Sequence, residues 1–194
     1  VKTEKSCAQN AAVKYLKNLK KIIKAALVNK WITDDPFLEI HFKQTRTNRA
    51  FLTEEELGIL LKKEFTIPRL QTVRDIFVFC ALTGLAFTDV QHLRHDHIIK
   101  DGNGEYWIRK AREKTDNMCD IPLLDIPRMI LEKYKGHPEC MKKGVLLPVP
   151  SNQRMNSYLK EIADTCGITK PLSTHVARHT FATVALANRV SMES

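Results

Sequence analysis

Apolar side chains recur at helical spacing over residues 8–29, where Leu16, Leu19, Ile23 and Leu27 are expected to face a core. Lys14, Lys17, Lys21 and Lys24 recur on another face of the same predicted helix. Asp34-Asp35-Pro36 interrupts the segment from Trp31 to Phe42, and the basic, apolar-poor stretch from Lys43 to Arg49 reads as a linker. A domain boundary is therefore expected near residue 48. Thr53-Glu54-Glu55-Glu56 has the form of a capping box, so a helix should start there and run to about Lys63. Ile76, Phe77, Phe79, Cys80, Ala81 and Leu82 mark a buried helix stopping at Gly84, and Phe87 to Leu93 restarts one with Asp89 in its first turn. Between Ile98 and Leu123 the pattern changes to short extended runs around Tyr106-Trp107-Ile108 and Cys119-Asp120-Ile121, with Asp101-Gly102-Asn103-Gly104 as a turn. Helical spacing returns over Ile126–Tyr134, Asn152–Ala163 and His175–Ala187, the last offering Phe181, Val184 and Leu186 for packing. The predicted fold class is mainly α with a small antiparallel β-sheet (α+β).

A chain of 194 residues accommodates one core, or one domain plus a piece of another, and the linker favours the second arrangement. Thirty-one Lys and Arg against 22 acids leave a formal charge of +9, which points to a polyanionic partner: DNA, RNA or an anionic membrane. No apolar run approaches the roughly 20 residues a spanning helix needs, and the Lys-rich N-terminus lacks a signal-peptide core, so a cytoplasmic protein is expected. Eight lysines and one acid fall within the first 30 residues, either as a solvated face or as a track along phosphates. The five scattered cysteines lack any paired Cys-x-x-Cys spacing and are expected to be reduced. His92, His95, Asp96 and His97 cluster without fixing a coordination geometry, and no metal site is expected.

The run His175-Val-Ala-Arg178-His179-Thr-Phe-Ala-Thr183 carries the chemistry. Residues three apart share a helical face, so His175 and Arg178 would present an imidazole and a guanidinium together, a pairing suited to proton transfer and charge neutralisation at a phosphodiester. Earlier segments fall into order with this run: Thr83-Gly84-Leu85, then Asp89-Val90 and Leu93-Arg94, and later Lys114-Thr115 ahead of Ile121-Pro122-Leu123. Together they resemble the signature of the tyrosine recombinases, the phage-type integrases, over nearly the whole chain. That resemblance implies the catalytic-domain architecture of the family over residues 48–194, and the C-terminal part of a helical, DNA-clamping core-binding domain plus linker over residues 1–47. It implies site-specific cutting and rejoining of double-stranded DNA through a 3′-phosphotyrosine intermediate, within a tetrameric synapse of identical subunits, without cofactor or metal. Arg178 matches the second family arginine, His175 the first histidine and Lys114 the hairpin lysine, with His179 a supporting hydrogen-bonder. Arg109, Lys110 and the row Lys14, Lys17, Lys21 and Lys24 are the expected backbone-binding residues.

Two positions depart from the family pattern. Ala86 stands where the first catalytic arginine should follow the Thr-Gly-Leu turn. Arg112 is the first candidate to replace it, because Arg112-x-Lys114 on a strand would point both side chains to one face; Arg94 is the second. Some integrases of conjugative transposons resemble this chain in lacking that arginine. The family's tyrosine nucleophile lies beyond the His-x-x-Arg motif, whereas Tyr15, Tyr106, Tyr134 and Tyr158 all precede it, so the sequence reads as a catalytic domain cut short and inactive in cleavage. A non-enzymatic basic helical DNA-binding protein and a type IB topoisomerase-like enzyme remain open as alternatives.

Overall fold

The computed structural model describes residues 7–45 and 47–188. The chain divides into two compact units, Val1–Asn48 and Arg49–Ser194.

In the first unit, α1 spans Gln9–Val28. The segment that follows makes a turn at 36–39 and returns to the start of α1. The Asn10 amide clasps Thr45 in both directions: Nδ2 donates to the Thr45 carbonyl, and the Thr45 N–H donates to Asn10 Oδ1, each at 2.9 Å. Lys20 Nζ donates to the Phe37 carbonyl at 3.2 Å, and Val13 and Phe37 are the buried apolar side chains among the described residues of this unit. Here the periodicity misleads. Leu16 and Leu19 are 39% and 44% exposed rather than core-facing, while Ile23 and Leu27 are half-buried. A non-helical strap covers a narrower stripe than a second helix would, and among the described residues of this unit no second helix lies over that face.

The second unit holds the main core. Thr53 opens α2 (Glu54–Lys62) with a complete capping box: its N–H donates to Glu56 Oε2 at 2.8 Å and its Oγ1 accepts from the Glu56 N–H at 3.2 Å. The central helix α3 (Pro68–Thr83) has Pro at its first position and buries Phe77 and Phe79 almost completely. Its two buried charges organise its neighbours. Arg74 Nη1 donates to the carbonyls of Leu60 and Leu61, satisfying the end of α2, and Asp75 accepts from Lys133 Nζ at 2.7 Å and the Tyr134 hydroxyl at 2.9 Å. Those last two contacts fasten α5 (Asp125–Tyr134) to α3.

Gly84 ends α3 in the left-handed conformation, with φ +67°, and α4 (Phe87–Gln91) starts three residues later. The sheet follows as β1 (Ile98–Lys100), β2 (Tyr106–Ala111) and β3 (Met118–Pro122), antiparallel in that order. Arg109 faces Asp120 and Lys110 faces Cys119 across the β2–β3 ladder. The short helix α6 (Pro138–Lys143), capped by His137 and Gly144, was not evident from periodicity because six residues carry too little of it. Two further helices complete the unit, α7 (Asn152–Thr165) and α8 (Thr174–Ala187). Thr180, fully buried on α8, accepts from the Leu52 N–H at 2.9 Å and so pins α8 to the start of the unit. No described helix is long and apolar enough to cross a membrane.

Candidate functional site

At the left-handed turn of Gly84, α8 packs directly against the end of α3. A methyl group built on Gly84 would lie 2.5 Å from Phe181 Cδ1 and 2.7 Å from Cε1, so the ring of Phe181 occupies the space a side chain would need. One helical turn before Phe181, Arg178 Nη1 donates to the Gly84 carbonyl at 2.8 Å. The turn thus fixes the guanidinium, and the guanidinium takes up a carbonyl that the end of α3 leaves free. Beneath it, burial pushes the Cys80 thiol up to about 12, partly opposed by the charge of Arg178.

Arg178 lines a cleft of about 650 Å³ whose other walls are the Gly84 turn, the apolar face of α8 at Phe181, Ala182 and Ala185, and β3 from Met118 to Pro122. Arg112 is its second cationic wall. The strand β2 ends at Ala111, so the expected strand alternation of Arg112 and Lys114 does not hold: Arg112 opens a hairpin turn in which its carbonyl accepts from the Thr115 and Asp116 N–H groups, and its N–H donates to the Asn117 carbonyl at 3.0 Å. Arg112 Nε lies 2.7 Å from Cys119 Sγ. Among the described residues Arg112 has no other side-chain partner, so both terminal nitrogens can form a fork. Asp120 also lines the cleft, but Arg109 pairs with it through Nε to Oδ1 at 2.6 Å and Nη2 to Oδ2 at 3.3 Å, so the one described carboxylate in the wall is already neutralised.

The other candidate residues do not line this cleft. Lys114 is exposed in the hairpin turn and does not line it, and His175 is exposed on the first turn of α8, three residues before Arg178. His179 is half-buried; burial, reinforced by the charges of Arg49, His175 and Arg178, holds its ring below the usual histidine range. No ring hydrogen bond of His179 is present among the described residues, in contrast to its expected supporting role. Lys110 departs furthest from expectation as a backbone-binding residue: it is 7% exposed and pairs with Glu113 Oε1 at 2.8 Å. Burying an ammonium requires such a partner, and the alternation that exposes Arg109 turns Lys110 inward. Arg94 is exposed at a 3-10 turn and does not line the cleft. Lys14, Lys17, Lys21 and Lys24 are all exposed on α1. Among the described residues no group of His, Cys, Asp or Glu is arranged to hold a metal ion.

No family model matches the chain, and no curated protein sequence matches it. Solved structures do. It superposes on a lambda integrase dimer bound to a COC′ core site with a TM-score of 0.70 and 17% identity, over 93% of this chain and 65% of that one. The site-specific recombinase XerH bound to difH substrate, in a pre-cleavage complex, gives 0.70 and 17% over 97% and 58%. The Tn1549 transposon integrase in complex with circular intermediate DNA gives 0.68 and 15% over 98% and 70%. The chain has the fold of the tyrosine recombinases. It spans less than two thirds of the first two of those proteins.

Within the tyrosine recombinase fold, the contacts that sequence reasoning missed are those that hold the site together. Cys119 contacts Arg112, Phe181 closes over Gly84, and Asp89, 2% exposed, accepts from the Glu113 N–H at 2.9 Å and ties α4 to the hairpin. Phe181 was legible as a packing residue and Asp89 as a first-turn acid, but their partners were not, because each contact joins residues from different elements. Of the four tyrosines, Tyr134 donates to the buried Asp75, Tyr106 lies between Lys100 and Arg128, and Tyr158 lies under Arg69. None of these three lines the Arg178 cleft, and Tyr15 belongs to the first unit.

Proposed function

We propose that this chain is the catalytic domain, with part of the DNA-clamping domain over residues 1–47, of a site-specific tyrosine recombinase of a mobile genetic element. The observation that carries the reading is the meeting of Arg178 and Arg112 in one cleft beside the Gly84 turn. Two guanidiniums that each retain free N–H groups suit the two non-bridging oxygens of a DNA phosphate, where negative charge builds as a nucleophile adds. Arg112 thereby takes the place of the arginine that Ala86 cannot supply. His175 supports proton transfer from the exposed edge of α8, and Lys114 protonates the departing 5′ oxygen from the hairpin tip, which its four-carbon stem lets it reach. Lys14, Lys17, Lys21, Lys24 and Arg109 contact the DNA backbone without reading sequence.

The reaction is transfer of a DNA 3′ phosphoryl group to a tyrosine hydroxyl and back. The tyrosine oxygen forms the new P–O bond, the 5′ oxygen leaves as a hydroxyl, and the phosphotyrosine later yields to a 5′ hydroxyl from the partner strand. The attacking tyrosine comes from polypeptide outside these 194 residues, and the working assembly is a tetramer on two DNA duplexes in the cytoplasm. A labelled nicked duplex tests this. The 194-residue chain should shift it in a native gel and leave no covalent band after denaturation, whereas the same chain extended through a downstream tyrosine should give the band. A covalent band from the 194 residues alone, or none from the extended protein, overturns the reading.

A non-enzymatic DNA-binding protein is the second reading, favoured by the exposed lysine row of α1, which needs no catalytic cleft. It predicts binding that is lost with the lysines and no strand cleavage when the chain is extended through a downstream tyrosine.

A further inference from the structure

We propose that Cys119 is a positioning residue for Arg112, holding the guanidinium by its Nε so that its two terminal nitrogens face the cleft. The inference rests on the reading of Arg112 as a phosphate ligand. Three observations meet at this contact. Arg112 lies beyond the end of β2, in a turn where the strand no longer dictates side-chain direction. A guanidinium on a flexible stem at such a place has many rotamers, and fixing one of them lowers the entropy lost when a phosphate binds. Cys119 supplies the fixing point: it sits on β3, half-buried, with Sγ 2.7 Å from Arg112 Nε and 3.9 Å from the Asn117 carbonyl. Both residues line the cleft that Arg178 also lines.

The arrangement parallels the anchoring of Arg178. Arg178 is oriented through Nη1 by the Gly84 carbonyl, and Arg112 through Nε by the Cys119 sulfur, so each arginine spends one donor on the protein and presents the rest. A carboxylate in the place of Cys119 would neutralise the guanidinium, as Asp120 does for Arg109 one ladder position away. A sulfur accepts weakly and leaves the positive charge available.

The test uses the 194-residue chain, fluorescein-labelled duplex DNA and anisotropy at fixed salt, comparing the parent with Cys119→Ala, Cys119→Ser, Arg112→Ala and the Cys119→Ala/Arg112→Ala double variant. Cys119→Ala should weaken binding about threefold to tenfold, the range set by removing one hydrogen bond. Cys119→Ser, which keeps an acceptor, should restore most of it. In the double variant the Cys119→Ala effect should vanish, because the residue it acts through is gone. Nitrogen-15 NMR provides a readout that a purely structural role would not move: the Arg112 Nε–H signal should exchange with solvent faster in Cys119→Ala and keep its protection in Cys119→Ser, with the thermal midpoint unchanged.

Full additivity of the two substitutions, or an Arg112 Nε–H unaffected by Cys119→Ala, overturns the positioning role. Should Arg112→Ala bind like the parent while the NMR signature of the Cys119 sulfur holds, the phosphate-ligand reading fails instead, and the role proposed for Cys119 in binding goes with it.

Discussion

Gly84→Ala should be among the most damaging small substitutions in the second unit, although it adds a single methyl group. The backbone there has φ +67°, which costs a residue bearing a Cβ about 1–2 kcal/mol. The new methyl would meet Phe181 Cδ1 at 2.5 Å, Cε1 at 2.7 Å and Cγ at 3.0 Å, three neighbouring atoms of one rigid ring, and overpacking of this kind costs about 1–3 kcal/mol. Together the two effects predict a loss of about 2–5 kcal/mol, or a fall in thermal midpoint of about 5–15 °C for a unit of this size. Circular dichroism melting measures it. The contributions separate in a Phe181→Ala background, where the clash disappears and Gly84→Ala should cost only the conformational part, about 1–2 kcal/mol. A Gly84→Ala midpoint within about 2 °C of the parent would refute the packing argument. An undiminished cost in the Phe181→Ala background would show that strain alone, and not the ring, makes glycine necessary. DNA binding should weaken as well, since the Gly84 carbonyl is the anchor for Arg178.

Arg178→Ala should weaken duplex binding about tenfold or more, the loss expected for hydrogen bonds to a charged group, while Arg178→Lys should recover only part of it because an ammonium lacks the planar fork; anisotropy titrations decide both. Replacing Lys14, Lys17, Lys21 and Lys24 by Ala should lower the slope of log affinity against log salt by roughly 0.9 for each phosphate no longer neutralised, and an unchanged slope would remove α1 from the DNA interface. Burial pushes the Cys80 thiol up to about 12, above its value in the unfolded chain, so its contribution to stability is full below about pH 9 and is lost as pH rises toward 12. Urea melts should show that decline starting near pH 9, and Cys80→Ala should flatten it. Thr53→Ala removes the acceptor of the capping box and should cost about 1 kcal/mol in the same urea melts.

What was legible in the sequence was local. The capping box at Thr53 and the left-handed stop at Gly84 are each determined within four residues, and both stand in the structure as read. The alternation around Trp107 and Ile121 sufficed for the sheet, and the spacing of His175 and Arg178 for the face they share on α8. What was not legible depended on partners distant in the chain. Leu16 and Leu19 have the spacing of core residues, but spacing cannot say whether anything covers them. Lys110 belongs to a basic run, yet its neighbour Glu113 and the pleat of β2 bury it. Arg112 lines the cleft through a turn and a cysteine contact, where strand alternation with Lys114 was expected. Helix α6 is too short for periodicity, and only its cap residues, His137 and Gly144, announce it.

Everything proposed for the cleft depends on two arginines from different elements gripping one DNA phosphate. A crystal structure of the chain on a duplex tests it most directly. Terminal nitrogens of both Arg112 and Arg178 should lie within about 2.7–3.2 Å of non-bridging oxygens of the same phosphate, a normal hydrogen-bond range. DNA lying across another face, with the cleft beside Gly84 empty of phosphate, would contradict it.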